Sequence, residues 1–163
     1  MPTSDPTTIL IQHNHWATTQ LLDACKSLTA EQLRQDFPLG PGSLQQTLVH
    51  ILAAMQGWGD LLGGREQRPR LEGDSMTLAE IQERLNGLTE DIAHSVSNHP
   101  ADEIVSGERG GRTYSFTRGA VITHVMTHGM HHRAQCLNML RQLGVSPLPP
   151  SSIMEWTMMA DMG

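Results

Sequence analysis

His128 and His132 stand four residues apart in the run Thr127-His-Gly-Met-His-His-Arg-Ala-Gln135. Residues so spaced on an α-helix are separated by about 40° of rotation and about 6 Å of rise, so their imidazoles can converge on one metal ion. The chain carries nine histidines, and His124, His128, His131 and His132 are crowded into one short stretch. A helical wheel sorts them. With Ala120 at zero and about 100° per residue, an apolar arc runs from Val121 and Met139 through Cys136 and Leu140. His128 and His132 fall at about 80° and 120°, the inward edge of that arc, whereas His124 and His131 point to the polar side. The run has no H-E-x-x-H glutamate and so offers no metalloprotease base. Sites with catalytic zinc-like chemistry usually take three protein ligands and keep one position open, so a further ligand has to come from another element. The candidates are His50, His13, His15 and Asp60. His50 sits on the flank of its helix and can face a neighbour. The angle of His13 suits a supporting role, and His15 points away. His94 and His99 read as surface residues.

Four segments with helical periodicity must position these groups. The first spans Pro6 to Leu28, with Pro6 in the first turn. The second spans Ser43 to Leu62, with Ser43 and Gln46 as a capping-box pair and Gly63-Gly64 as its stop. The third spans Leu78 to Asn98 and opens on the Thr77/Glu80 pair. The fourth spans Arg118 to Leu143 and ends at Gly144, with Pro147 beyond. Residues 29–42 and 63–76 read as connections. Glu103 to Ser106 and Arg112 to Thr117 flank Glu-Arg-Gly-Gly and suggest a short hairpin. The segments 63–76 and 100–117 are expected to shape the mouth of the site. A tail from Ile153 to Met159 is expected to add a short helix. Four amphipathic helices with one longer crossover predict an all-α four-helix bundle, and 163 residues suit a single domain over 1–163. Arg133 falls within the apolar arc, near 220°, so its guanidinium is expected to pair inside the fold or across a dimer interface, with Asp60 or Glu103 as partner.

Composition narrows the function. The net charge of −6, with eleven scattered Lys and Arg, argues against a nucleic-acid partner. The two cysteines, Cys25 and Cys136, form neither a metal-ligand pair nor a disulfide framework and are expected to be reduced thiols packed in a cytoplasmic protein. No signal peptide and no membrane-spanning run is read from the sequence.

Three stretches together carry a family resemblance: His13-Asn-His-Trp-Ala17 followed by Leu21-Leu22, Gly42-Ser-Leu with Thr47-Leu-Val-His50-Ile-Leu, and His124-Val with Thr-His128-Gly-Met-His-His132-Arg-Ala-Gln135. In order and spacing, over essentially the whole chain, they resemble the DinB-like (damage-inducible) family, which includes the YfiT-type proteins. The resemblance implies an up-down-down-up bundle with a long crossover and a histidine triad of His50, His128 and His132. It also implies a divalent ion such as zinc or nickel, and homodimers. Some members are thiol S-transferases that use low-molecular-weight thiols such as bacillithiol or mycothiol. The family's name records induction by DNA damage, not DNA binding. This chain departs from the commoner signature at Ala134, where glycine is frequent. Three imidazoles leave a divalent ion its full charge, so the alternatives are a metal-dependent thiol transferase acting on a small molecule, a metal-dependent hydrolase, or a non-catalytic metal- or ligand-binding stress-response protein.

Overall fold

A computed structural model describes residues 4–73 and 76–161. Local chemistry sets each helix. α1 (Pro6–Cys25) starts where the Asp5 carboxylate accepts from the Thr8 amide at 2.7 Å and Pro6 needs no amide partner. α2 (Ala30–Arg34) is one short piece held by a Thr29/Gln32 capping box inside what the sequence suggests is plain connection. α3 (Leu44–Leu62) is capped by Ser43, whose hydroxyl accepts from the Gln46 amide at 3.2 Å. It stops at Gly63-Gly64, where Gly64 takes φ +60. α4 (Leu78–Asn98) opens on the reciprocal Thr77/Glu80 box expected from the sequence.

The hairpin pairs β1 (Ile104–Arg109) with β2 (Arg112–Thr117) antiparallel. Gly110 and Gly111, at φ +58 and +74, supply the two left-handed residues its tight turn needs. α5 (Arg118–Gln142) follows at once, capped by Thr117, and α6 (Ile153–Asp161) closes the described chain.

α3 packs against both α4 and α5, and α1 packs against the same two helices from the other side. The apolar stripes meet in one core that includes Leu48, Ile51, Leu52, Ile81, Leu85, Ile92, Met139 and Leu140, all fully buried. α6 rests on α1, β1 on α3 and β2 on α5.

Three buried polar groups stitch these layers. Arg118 donates to the Leu62 carbonyl at 2.5 Å, to Ser95 Oγ at 2.9 Å and to Glu103 at 2.7 Å, so the start of α5 is tied to the ends of α3 and α4. Asp60 is buried and accepts from Arg68 and Arg65, which anchors residues 65–68 to α3. Arg133 is buried as expected, but it reaches neither Asp60 nor Glu103. It faces α1, where it donates to Asn14 Oδ1 and lies 3.4 Å from Thr18 Oγ1. Asp60 and Glu103 are already committed to arginines of their own. Among the described residues no helix is long and apolar enough to cross a membrane.

Candidate metal centre

α3 and α5 lie side by side, and their facing edges bring His50, His128 and His132 together. The ring centroids are 4.9 Å apart for His50 and His128, and 4.4 Å apart both for His50 and His132 and for His128 and His132. One ring nitrogen from each lies within 4.8 Å of the other two, so the three are positioned to bind a metal ion. All three are half-buried, at the boundary depth that the wheel gives for the α5 pair. His124 and His131 are exposed, on the side the wheel assigns them.

Hydrogen bonds indicate which nitrogen each ring offers. His132 Nδ1 is 2.7 Å from Gln135 Oε1, an acceptor, so Nδ1 carries the proton and Nε2 holds the lone pair. His50 and His128 face each other through Nε2 at 3.1 Å. Two nitrogens bound to one ion at about 2.0–2.1 Å would sit roughly 3–3.4 Å apart, so this pair already has ligand spacing. His128 Nδ1 is buried with no hydrogen-bond partner among the described residues, which leaves Nε2 as that ring's useful nitrogen. Arg70 Nη2 lies 3.4 Å from His50 Nδ1. A guanidinium only donates, so this contact belongs to the tautomer with its proton on Nε2; metal binding through Nε2 requires the exposed Arg70 to give way.

The electrostatics suit a cation. Burial pushes His128 down to about 4, and the neighbouring His132, His50, His124 and His131 push the same way. His50 is lowered by burial, then by His132 and Arg70. His132 is lowered by burial against the opposing pull of its Gln135 bond, with His131 adding to the lowering. The rings are therefore neutral at neutral pH and present lone pairs, the form a metal requires. The donor set, the spacing and the protonation state all fit a divalent ion.

The other sequence candidates lie elsewhere. His13 is buried, but its Nε2 is 2.9 Å from the Ser151 carbonyl and its ring packs near Trp16 and Trp156, so it holds the C-terminal segment rather than supporting the triad. His15 bonds Asn86 on α4 at 2.8 Å. Asp60 anchors Arg65 and Arg68. His99 pairs with Glu103 at 3.0 Å, and His94 is exposed beside Asn98. Cys25 and Cys136 are fully buried; burial raises the Cys25 thiol to about 12 and raises Cys136 also, so neither is a nucleophile.

Sequence reasoning missed Gln135, although its place three residues after His132 on one helix was the available signal. It also missed Gly40. At φ +55, and with Gln135 Oε1 filling the place a Cβ would take, Gly40 lets the loop before α3 close over Gln135 where a side chain would push that amide aside. A groove of about 1230 Å³ between residues 68–72 and α4 includes Arg70 in its lining but none of the three histidines.

Three neutral imidazoles positioned to bind a metal ion thus lie between two packed helices of a helical protein with one small hairpin. The sequence model of the DinB family matches residues 1–158, and the chain belongs to that family. It is 27% identical over 147 residues to Uncharacterized protein YizA of Bacillus subtilis (strain 168), covering 87% of this chain and 91% of that one. It is 24% identical over 155 residues to Protein DinB of the same organism, covering 86% and 87%.

Proposed function

We propose that the protein is a four-helix bundle of up-down-down-up order, folded as one domain, in which His50, His128 and His132 hold a zinc or nickel ion, and that it serves as a metal-dependent thiol S-transferase with a low-molecular-weight thiol. The observation that carries the metal reading is the convergence of three neutral imidazoles within 4.8 Å. The ring of packing contacts, α1 with α4 and α5 and α3 with the same two, supports the bundle. When bound, the ion supplies Lewis acidity and lowers the pKa of a coordinated thiol or water. The chain contributes the rest. Gln135 holds the His132 proton on Nδ1 and so fixes which nitrogen faces inward. Burial keeps the rings neutral. With no reactive cysteine of its own, the protein needs a thiol from outside. The overall reaction, R–SH + R′–X → R–S–R′ + HX, forms one S–C bond, breaks one C–X bond and releases the thiol proton with the leaving group.

A non-catalytic role is the second reading, favoured by one observation: among the described residues the cluster contains three histidines and no carboxylate to serve as a base. Cytoplasmic residence and homodimers go with the transferase reading, and light scattering of the purified chain tests the dimer. The deciding experiment is metal analysis of protein purified without a nickel column, followed by assay with a small thiol and a chromogenic electrophile. Stoichiometric metal, with turnover that falls to background in His128→Ala, supports the transferase. Stoichiometric metal without turnover for any thiol supports the non-catalytic role, and metal content equal in wild type and His128→Ala refutes the site.

A further inference from the structure

The chain has only three Trp, two Phe and one Tyr, yet Trp58, Tyr114 and Phe116 gather beside the histidine triad. The rings form a continuous path. His124, one turn before His128 on α5, has its centroid 5.7 Å from His128 and 5.3 Å from Trp58. Trp58 lies on α3 two turns beyond His50, and its ring is 6.3 Å from Tyr114 and 6.1 Å from Phe116. Tyr114 and Phe116 alternate along β2, so both project from the same face of the hairpin toward Trp58.

Glycine makes this placement possible. Gly107 is the cross-strand partner of Tyr114, and a Cβ there would lie 2.6 Å from the Tyr114 hydroxyl and 2.8 Å from Cζ. The Tyr114 ring lies over the bare backbone of β1. Trp58 and Tyr114 pack against the core, but anchoring does not account for Phe116. The hairpin is already fixed by buried Val105, by the Arg118 amide on the Glu103 carbonyl at 2.9 Å and by the Gly119 amide on the Ala101 carbonyl at 2.8 Å. Phe116 nevertheless stays 41% exposed, and Trp58 and Tyr114 stay half-buried.

We propose that Trp58, Tyr114, Phe116 and His124 form a subsite next to the triad that takes the planar, uncharged aromatic group of the acceptor electrophile. Phe116 and His124 are exposed and Trp58 and Tyr114 half-buried, so the cluster leaves aromatic surface open to stacking against a flat guest. A cationic guest is disfavoured because the adjacent triad is a cation site. The inference rests on the triad being the centre at which acceptors react, but binding at the wall is measurable without turnover.

The test uses the metal-loaded full chain and an unreactive probe, 2,4-dinitrotoluene, with binding followed by calorimetry. The Phe116→Ala and Trp58→Leu variants should weaken binding about three- to tenfold each, and Phe116→Tyr should retain it. In turnover with a small thiol, Phe116→Ala should shift preference by a similar factor away from 1-chloro-2,4-dinitrobenzene, which loses chloride, and toward iodoacetamide. Thermal melts show that each variant is folded. Probe binding that is undetectable in wild type, or equal in wild type and both weakening variants, overturns the subsite even if turnover is found. Binding that weakens as expected, with no turnover for any thiol, keeps the subsite and overturns the transferase reading instead.

Discussion

Gln135 decides which nitrogen of His132 is free, by accepting its Nδ1 proton at 2.7 Å. Partners of this kind tune ligands they do not replace, so Gln135→Leu should weaken metal affinity about 10- to 100-fold while leaving three histidines in place. Competition with a chromogenic chelator measures this, and equal affinity in variant and wild type would refute the orienting role. Asp60 gives a prediction in pH. Burial alone would raise its pKa, but hydrogen bonds and charge from Arg68 and Arg65 hold it below the ordinary 3.8. A carboxylate depressed in the folded state adds stability that is complete above its unfolded value and is lost as pH falls through the folded one. Asp60→Asn should therefore lose about 1–3 kcal/mol at neutral pH by urea denaturation, and the gap to wild type should close below 3.8. A gap of constant size down to acid unfolding would show that the ion pair is not its source. How far these residues could be read in advance follows from what a wheel measures. It reports angle, hence depth: it placed His128 and His132 at the boundary, His124 and His131 outside and Arg133 inside. It does not report which helix lies opposite. The choice of His50 came from the family resemblance, and the partner of Arg133 was misjudged because Asn14, an uncharged residue on α1, carries no signal that it awaits a guanidinium.

At the scale of elements, punctuation was legible and packing was not. Thr77/Glu80, Gly63-Gly64 and the Gly110-Gly111 turn act locally, within a few residues of where they stand, so the sequence shows them directly. α2, with five residues, is too short for any periodicity to declare it, and only its capping box gave a sign. Two helical glycines make the contrast testable. Gly87 lies exposed in α4, and a Cβ there meets nothing within 4 Å. Gly87→Ala should stabilise the protein by up to about 1 kcal/mol through helix propensity and a less disordered unfolded chain. Gly129 lies buried in α5, where a Cβ would strike Asn14 Oδ1 and come within 2.9 Å of Arg133 Nη1. Gly129→Ala gains the same propensity, yet should destabilise by about 1–3 kcal/mol because the buried hydrogen bond from Arg133 to Asn14 must give way to admit the methyl. Urea midpoints for the two variants should move in opposite directions; a shared direction would mean that propensity, not the crowding by Asn14 and Arg133, governs Gly129. The wheel separates these glycines by depth, since Gly129 falls at about 180° inside the apolar arc and Gly87 opposite the buried stripe of α4, but only the folded structure shows that Asn14 and Arg133 fill the space beside Gly129.

For the whole molecule, the consequence of the triad is a cross-link. His50 belongs to α3 and the other two ligands to α5, so an ion held by all three joins helices that are far apart in the chain and form part of one core. An ion that binds the folded state and not the unfolded one stabilises by RT ln(1 + [L]/Kd), about 2.7 kcal/mol at a free concentration a hundred times Kd. For a chain of 163 residues, each kcal/mol moves the melting point by about 2–4 °C, so saturating zinc or nickel should raise Tm by about 5–10 °C over chelator-treated protein. The increment should grow with the logarithm of free ion. It should vanish in His128→Ala and in His50→Ala, which lie on different helices. It should persist in His94→Ala, where an exposed histidine of α4 outside the triad is removed. This pattern separates a built site from scattered surface imidazoles, of which the chain has several. If the ion raises Tm equally in His50→Ala and wild type, it binds along α5 alone and ties nothing together; if His94→Ala also loses the increment, the ion acts through the surface and the triad is not a metal centre.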